Sequence, residues 1–246
     1  MDNSILKNKI LIFIPAYNVE KKIYSVVSRI PSKIFDKNKI DLLIINDFST
    51  DKTFSEIEKI KENFNYNVYV HNTEKNLGYG GVQKFAFNYS IKNSYDYLIM
   101  LHGDGQYAPE ELPRFIEKFE DQNIDAVFGS RMKSYKSALK GGMPFYKFLG
   151  NIGLTFIQNI ILGSKISEFH SGYRSFKVSS LKLIEFNDKA DYYHFDTEII
   201  IEFLKKKLSI LEIHIPTFYG DEVSHLRSIP YGIKVLLSTI KLRFRK

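Results

Sequence analysis

The sequence predicts an α/β fold: a mostly parallel sheet with helices on both of its faces. Three observations carry this. Through the first half, short apolar runs alternate with segments long enough for helices, the order that builds a parallel sheet. The 246 residues are 44% hydrophobic, enough for one large domain with a full core. The apolar runs also end in small, polar or acidic motifs, at the strand ends where open α/β sheets place their ligands.

The elements follow in order. Lys9 to Ile14 predicts the first strand, with a helix from about Glu20 to Arg29 behind it. Asp41 to Ile45 predicts the second strand and Asp51 to Phe64 a helix, capped by the side-chain oxygen of Ser49 or Thr50. Asn67 to His71 reads as the third strand. It leads through the glycine-rich turn Asn76-Leu-Gly-Tyr-Gly-Gly81 into a helix from Gly80 to Lys92. Tyr97 to Leu101 is an apolar run that reads as a buried fourth strand. Pro109, Glu110 and Glu111 predict the first turn of a helix reaching Glu120, because proline's fixed φ and early acids suit a helix start. Asp125 to Phe128 and, later, Ser209 to Ile215 predict further strands.

Composition limits the function classes. A formal charge of +7 favours an anionic partner: nucleic acid, nucleotide, lipid phosphate or a bilayer surface. No interleaved basic and aromatic motif supports nucleic acid. Zero cysteines exclude disulfides and thiolate metal sites. The first residues carry no signal-peptide core, and no segment reaches about 18 uninterrupted apolar residues, so no membrane span is expected.

The segment after the fourth strand, His102-Gly-Asp-Gly-Gln106, is the most informative. Asp104 can reach a divalent cation and Gln106 can add a neutral oxygen, hard ligands that suit Mg²⁺ or Mn²⁺ holding a diphosphate. An ordinary acidic strand-to-helix turn would carry the same residues. Pro15-Ala-Tyr-Asn18, with Glu20 two residues on, follows the first strand, and Asn46-Asp-Phe-Ser-Thr-Asp-Lys-Thr53 follows the second. Both put acceptors and an aromatic ring at one edge, a pocket for a nucleoside. The glycine turn around Gly78 serves either a ligand or a tight turn at positive φ. It lacks the ending of a Walker loop, and it follows the wrong strand for a dinucleotide fingerprint.

Together Pro15-Ala-Tyr-Asn18, Asn46-Asp-Phe-Ser-Thr-Asp51, Asn76-Leu-Gly-Tyr-Gly80, Gly103-Asp-Gly-Gln106 and Gly129-Ser-Arg-Met132 resemble the family 2 glycosyltransferases of the GT-A fold. The nearest branch is the dolichol- or polyprenyl-phosphate mannosyl- and glucosyltransferase type. The likeness runs from about Lys9 to His225 with order and spacing kept. It implies a Rossmann-like GT-A sheet and inverting transfer of a sugar from a UDP- or GDP-linked donor. By the same resemblance Pro15, Ala16, Tyr17 and Asn18 match the first nucleotide-binding segment. Val19 stands where many members have Glu, which leaves Glu20 as the substitute. Asp47 matches the second of the family's paired acids and would contact the base, while Asn46 replaces the first. In the family's Asp-x-Asp metal motif the first acid corresponds to His102 and the second to Asp104, with Gly103 between them. His102 either ligates metal through one ring nitrogen, which suits Mg²⁺ less than a carboxylate does, or lines the pocket as a hydrogen-bonded histidine. Asp104 and Gln106 remain metal candidates.

The second half adds cationic and acidic candidates. Arg131 and Arg174 match arginines that the family places near phosphates, where a guanidinium binds bidentately; a structural salt bridge is the alternative for each. Lys84 is a further phosphate candidate, or simply a solvated lysine. Tyr192-Tyr-His-Phe-Asp-Thr-Glu-Ile-Ile-Ile201 opens a helix in which Asp196 is either an N-cap or, with Glu198, part of the family's late acidic motif beside the acceptor. A sugar hydroxyl acceptor needs such a base. A lipid phosphate, with a second pKa of about 6 for phosphomonoesters, does not. Tyr219 to Leu226 suggests either a loop closing over the donor, with His225 at the diphosphate, or a plain surface loop.

Two apolar stretches bear on membranes. In Pro144 to Leu162, Phe145, Phe148, Leu149, Ile152 and Phe156 share a helical face. At the C-terminus Ile233, Leu236, Leu237, Ile240 and Phe244 do the same among Lys234, Lys241, Arg243, Arg245 and Lys246. Such a basic amphipathic helix lies in a bilayer interface or docks on the protein's own core. The expected organisation is a GT-A domain over residues 1–228 and a basic amphipathic helix over 229–246. The expected activity is metal-dependent, inverting transfer to a polyprenyl phosphate, peripheral at the cytoplasmic membrane face. Transfer to a sugar hydroxyl in polysaccharide or glycolipid assembly, and a nucleotide-binding scaffold without catalysis, are the alternatives.

Overall fold

The computed structural model describes residues 8–37, 39–65, 67–219 and 228–244. Seven strands form one sheet: β1 (Lys9–Ala16), β2 (Lys39–Asn46), β3 (Asn67–Asn72), β4 (Tyr97–Met100), β5 (Ala126–Ser130), β6 (Arg174–Lys177) and β7 (Ile210–His214). Their order is β3-β2-β1-β4-β6-β5-β7. Every neighbouring pair is parallel except the two made by β6, which runs antiparallel to β4 and β5. The mostly parallel sheet thus matches the sequence reading, and β6 is the addition. It is four residues long with a basic residue at each end, so it offers no apolar run.

The helices are α1 (Ile23–Ser28), α2 (Lys33–Lys37), α3 (Thr53–Asn63), α4 (Gly78–Lys92), α5 (Leu112–Lys118), α6 (Tyr135–Lys140), α7 (Phe145–Leu162), α8 (Val178–Leu181), α9 (Phe195–Lys205) and α10 (Ser228–Phe244). Side-chain alternation along β1 builds two cores. Ile10, Ile12 and Ile14 pack with residues of α1, α3 and α5. Leu11 and Phe13 face the other way, onto α4, α8 and α9. Each of these fully buried side chains contributes about 1.5–3 kcal/mol relative to exposure.

Helix starts differ from expectation in two places. Neither Ser49 nor Thr50 caps α3. Asp51 Oδ1 accepts from the Thr53 amide at 2.9 Å, and Ser49 Oγ accepts from Asn18 instead. The helix expected from Pro109 begins as a 3₁₀ turn over Pro109–Glu111, and α5 ends at Lys118.

α7 and α10 lie side by side and run in the same direction. Gly232 sits against Leu154, Gln158 Nε2 donates to Thr239 Oγ1 at 3.3 Å, and Arg243 Nε donates to the Ile161 carbonyl at 3.3 Å. α10 also touches α9, where Ser238 Oγ donates to Glu198 at 3.0 Å. Among the described residues no helix is long and apolar enough to cross a membrane.

Candidate active site at the strand ends

The central strand β1 anchors the loops on either side. Its Ala16 carbonyl accepts from the Asp47 amide at 2.8 Å and its Pro15 carbonyl from the Gly103 amide at 3.3 Å. The loops after β1 and β2 are stitched together reciprocally. Asn18, at φ 52°, accepts from the Thr50 amide at 2.8 Å and donates its own amide to Ser49. Glu20 accepts from the Lys52 amide at 2.8 Å and donates to Asp51. Asn18 and Glu20 therefore shape the edge through hydrogen bonds within the protein. What this edge leaves open is aromatic: Tyr17 and Phe48 are 44% and 53% exposed. Phe48 sits at φ 60°, a conformation a bulky side chain adopts at a cost of about 1–3 kcal/mol. Tyr17 and Phe48 are the aromatic rings that the two strand-end motifs place at this edge.

Asp47 is buried and holds the glycine turn. Its carboxylate accepts from the Leu77 amide at 2.7 Å, the Gly78 amide at 3.0 Å and Thr73 Oγ1 at 3.3 Å. The Gly78 N–H is thus engaged inside the protein and does not point at a ligand. The glycines answer a close backbone approach: a Cβ on Gly78 would lie 2.6 Å from the Asp191 carbonyl oxygen, and one on Gly80 2.2 Å from that of Ala190. Lys84, read as a phosphate candidate, is likewise engaged. It pairs with Asp191 at 2.5 Å and donates to the Lys189 carbonyl, clamping α4 to the segment before α9.

Asp104 follows β4 as expected and opens onto a cleft of about 630 Å³. Its Oδ1 accepts from the Gln106 amide at 2.9 Å, and Gly105 turns at φ 77°. Lys22 and Arg29 of the α1 segment, Lys140–Gly142 and Thr217–Tyr219 line the cleft with Asp104. Residues 220–227, including the predicted closing loop and His225, lie outside the described residues.

His102 packs edge-on against Tyr107 with ring centroids 4.9 Å apart, and beside Tyr79 at 5.8 Å. Its Nε2 is buried without a hydrogen-bond partner and sits over Gly172, where a Cβ would come within 2.6 Å of it. That nitrogen is in a tyrosine-lined niche. Among the described residues no three His, Asp or Glu side chains converge as a metal cage. Tyr79 and Tyr193 complete the niche, their rings 5.0 Å apart. Burial, then the charge of Asp104, raises the Tyr193 hydroxyl above its ordinary range, which places Tyr193 near the cleft carboxylate. Tyr79 and Tyr193 stood inside quoted motifs without a role.

The four residues expected beside the reacting groups are all buried and internally paired. Arg131 binds Glu168 through Nε at 2.9 Å and through Nη2, and also donates to Tyr219 and to the His170 carbonyl. Burial opposes the guanidinium's charge, but Glu168 outweighs it and raises the Arg131 pKa. Burial likewise disfavours the Glu168 carboxylate, yet Arg131 holds its pKa below the ordinary value. Arg174, 1% exposed, donates to the carbonyls of Ser171, Asp196 and Phe169 at 2.7–2.8 Å. For both arginines the structural alternative describes the observed contacts. Asp196 is not an N-cap. It lies in the first turn of α9 and accepts from Tyr79 Oη at 2.8 Å and Gln83 Nε2 at 2.9 Å. Glu198 accepts from the Ala190 amide and from Ser238 of α10. Of the sequence-predicted site residues the structure brings Asp104 to the cleft lining. Gly103 is buried against β1, Gln106 is held by its amide to Asp104, and Arg131, Arg174, Asp196 and Glu198 are buried outside that lining.

Comparison with known proteins bears on the family and the fold. The sequence profile of Glycosyl transferase family 2 matches residues 11–184. The chain is 29% identical to the UDP-N-acetylglucosamine–dolichyl-phosphate N-acetylglucosaminyltransferase of Methanococcus voltae, over 96% of this chain and 97% of that protein. It is 25% identical to the undecaprenyl-phosphate mannosyltransferase of Micrococcus luteus, over 87% and 85% of the two chains. The crystal structure of glucosyl-3-phosphoglycerate synthase from Mycobacterium tuberculosis with uridine diphosphate superposes with a TM-score of 0.67 at 15% identity, over 96% of this chain and 80% of that one, which shows the shared fold. With the profile covering β1 to α8, and the acidic turn after β4 where the fold places its ligands, the chain belongs to glycosyl transferase family 2 and has the GT-A fold.

Proposed function

We propose that this chain transfers a sugar, with inversion, from a nucleotide-diphosphate donor to a polyprenyl-type phosphate. The observation that carries the reading is the near full-length match to relatives named for dolichyl-phosphate and undecaprenyl-phosphate transfer, covering 97% and 85% of those proteins. The site supports it. Tyr17 and Phe48, exposed at the ends of β1 and β2, frame the nucleobase. Lys22 and Lys140, both lining the Asp104 cleft, supply the positive charge that the buried arginines do not.

Asp104 fits a divalent ion of the Mg²⁺ or Mn²⁺ kind as a single protein carboxylate. Mg²⁺ commonly binds through one or two carboxylates, substrate phosphates and water. Gln106 is the second protein oxygen at hand. A buried Nε2 over Gly172 does not suit His102 to this task. When bound, such an ion neutralises charge building on the leaving diphosphate. The acceptor phosphate oxygen attacks the anomeric carbon from the side opposite the diphosphate, and that bond breaks as the new one forms. Asp196 and Glu198 are both held by internal donors, which favours an acceptor that arrives already anionic and needs no base.

The test is Mg²⁺- or Mn²⁺-dependent turnover across UDP- and GDP-sugars, with and without undecaprenyl phosphate, for the wild type and Asp104→Ala. Lipid-dependent turnover from one donor, reduced at least about a hundredfold in Asp104→Ala, is expected. Donor turnover without lipid stimulation would shift the acceptor to a sugar hydroxyl. Binding without turnover would indicate a scaffold.

A further inference from the structure

α7 and α10 each expose an apolar stripe while burying polar side chains. α7 buries Asn151, Thr155 and Gln158, while Leu149, Phe156 and Ile160 stand 51%, 64% and 66% exposed. α10 buries Thr239 and leaves Ile233, Leu237 and Phe244 at 56%, 62% and 74%. A surface helix in water buries its apolar stripe and exposes its polar one. Here α7 buries Phe148, and α10 buries Val235 and Leu242, but each helix leaves a further apolar stripe outside while polar side chains sit within. The two helices lie side by side in the same direction, and each carries its own exposed apolar side chains. Gly150 and Gly153 of α7 have nothing within contact distance of where a Cβ would stand, so α7 is open there. Patches of this kind mark an interaction surface.

Charge identifies the partner. The two helices carry Lys147, Lys234, Lys241 and Arg243 and not one Asp or Glu. A second copy of the chain would bring like charges together around the contact. An acidic lipid surface complements them, and apolar side chains flanked by lysines are what an in-plane interfacial helix requires. We propose that the α7–α10 face docks in the interface of an anionic bilayer. The acyl region receives Leu149, Phe156 and Leu237, and Lys234 and Lys241 meet lipid phosphates. α7 starts beside the cleft, because Gly142, three residues before it, is a lining residue, and α10 packs along α7. Docking sets the cleft mouth near headgroup level. It is independent of the acceptor, because a transferase to a sugar hydroxyl would carry the same face.

The chain contains no tryptophan, so one introduced indole reports its own surroundings. Full-length Phe156→Trp is mixed with phosphatidylcholine vesicles with and without phosphatidylglycerol; Tyr69→Trp, on the far strand β3, serves as control. A blue shift for Phe156→Trp with anionic vesicles only, weakened by salt and absent in Tyr69→Trp, is expected. Leu149→Ser with Leu237→Ser should abolish co-sedimentation with those vesicles while leaving the urea midpoint in place. Lys241→Glu should weaken partitioning at least about fivefold. No partitioning into anionic vesicles overturns the proposal, whether sedimentation velocity finds a monomer or an association through this face. Equal, salt-independent partitioning into neutral vesicles overturns it as well.

Discussion

At Gly172 a single absent methyl group decides where two side chains of the site rest. A Cβ there would lie 2.6 Å from His102 Nε2 and 2.8 Å from Tyr79 Oη, so both rings would have to move. Tyr79 is tied to Asp196 at 2.8 Å, and the Gly172 amide is tied to Tyr107 Oη at 2.7 Å, so neither side yields freely. Gly172→Ala is expected to cost about 1–3 kcal/mol in urea unfolding, the usual price of overpacking a dense site. It should also impair donor turnover, because His102 lies two residues from Asp104. Unchanged stability together with unchanged turnover would show that the niche is loose. The sequence marked Asp104 because it is an acid between glycines at the end of a buried strand, and four further motifs in the same register separated it from an ordinary acidic turn. It did not reveal that Arg131, Arg174 and Glu198 are buried. Residue type gives a group's chemistry, but only tertiary packing decides whether an arginine faces a ligand or a carbonyl.

Among elements, the end of β5 is joined to the segment before β6 and to α7 by one ion pair. Glu168 takes the Arg131 side chain, the Arg131 amide at 2.7 Å and Asn151 Nδ2 at 2.7 Å, all away from water. Removing one partner of such a pair leaves an uncompensated buried charge and costs about 3–5 kcal/mol. Glu168→Gln should therefore lower the urea midpoint sharply. Once folded at low temperature, the variant should keep its donor KM within about twofold, since Arg131 is not itself a lining residue and meets the cleft only through Tyr219 Oη. A rise in KM with stability intact would return Arg131 to phosphate binding. The parallel strands were legible because their apolar runs are long. β6, α6 and α8 were not, being at most six residues each with mixed polarity. For α7, periodicity gave the residues sharing a stripe. It could not tell which side meets the protein, and Asn151, Thr155 and Gln158 turned out to be inside.

For the molecule as a whole, the buried titratable groups act in one direction on acidification. Burial draws the His170 pKa down to about 4 from an ordinary 6.5, against a rise from Glu168, and its Nδ1 meets Tyr231 Oη at 2.9 Å. Between those two pH values the unfolded chain binds a proton at His170 that the folded chain excludes. Stability is therefore full above about pH 6.5 and falls as pH drops toward 4. Glu168, held below its ordinary value, has the same sign at lower pH: its contribution is present above the unfolded carboxylate range and is lost as pH falls through the folded value. The charge of +7 at neutrality grows over the same range, and self-repulsion adds to the loss. Urea midpoints are expected to decline steadily from pH 7 to pH 4.5. Of the groups facing His170, Arg131 is held charged and Tyr231 neutral, and Glu168 is held below its ordinary value, so His170 is the member that titrates first on acidification. His170→Phe should lower stability at pH 7 by removing the bond to Tyr231, yet flatten the decline between pH 6.5 and 4.5. Parallel curves for wild type and variant would assign the acid sensitivity to net charge alone, because self-repulsion acts on both chains alike.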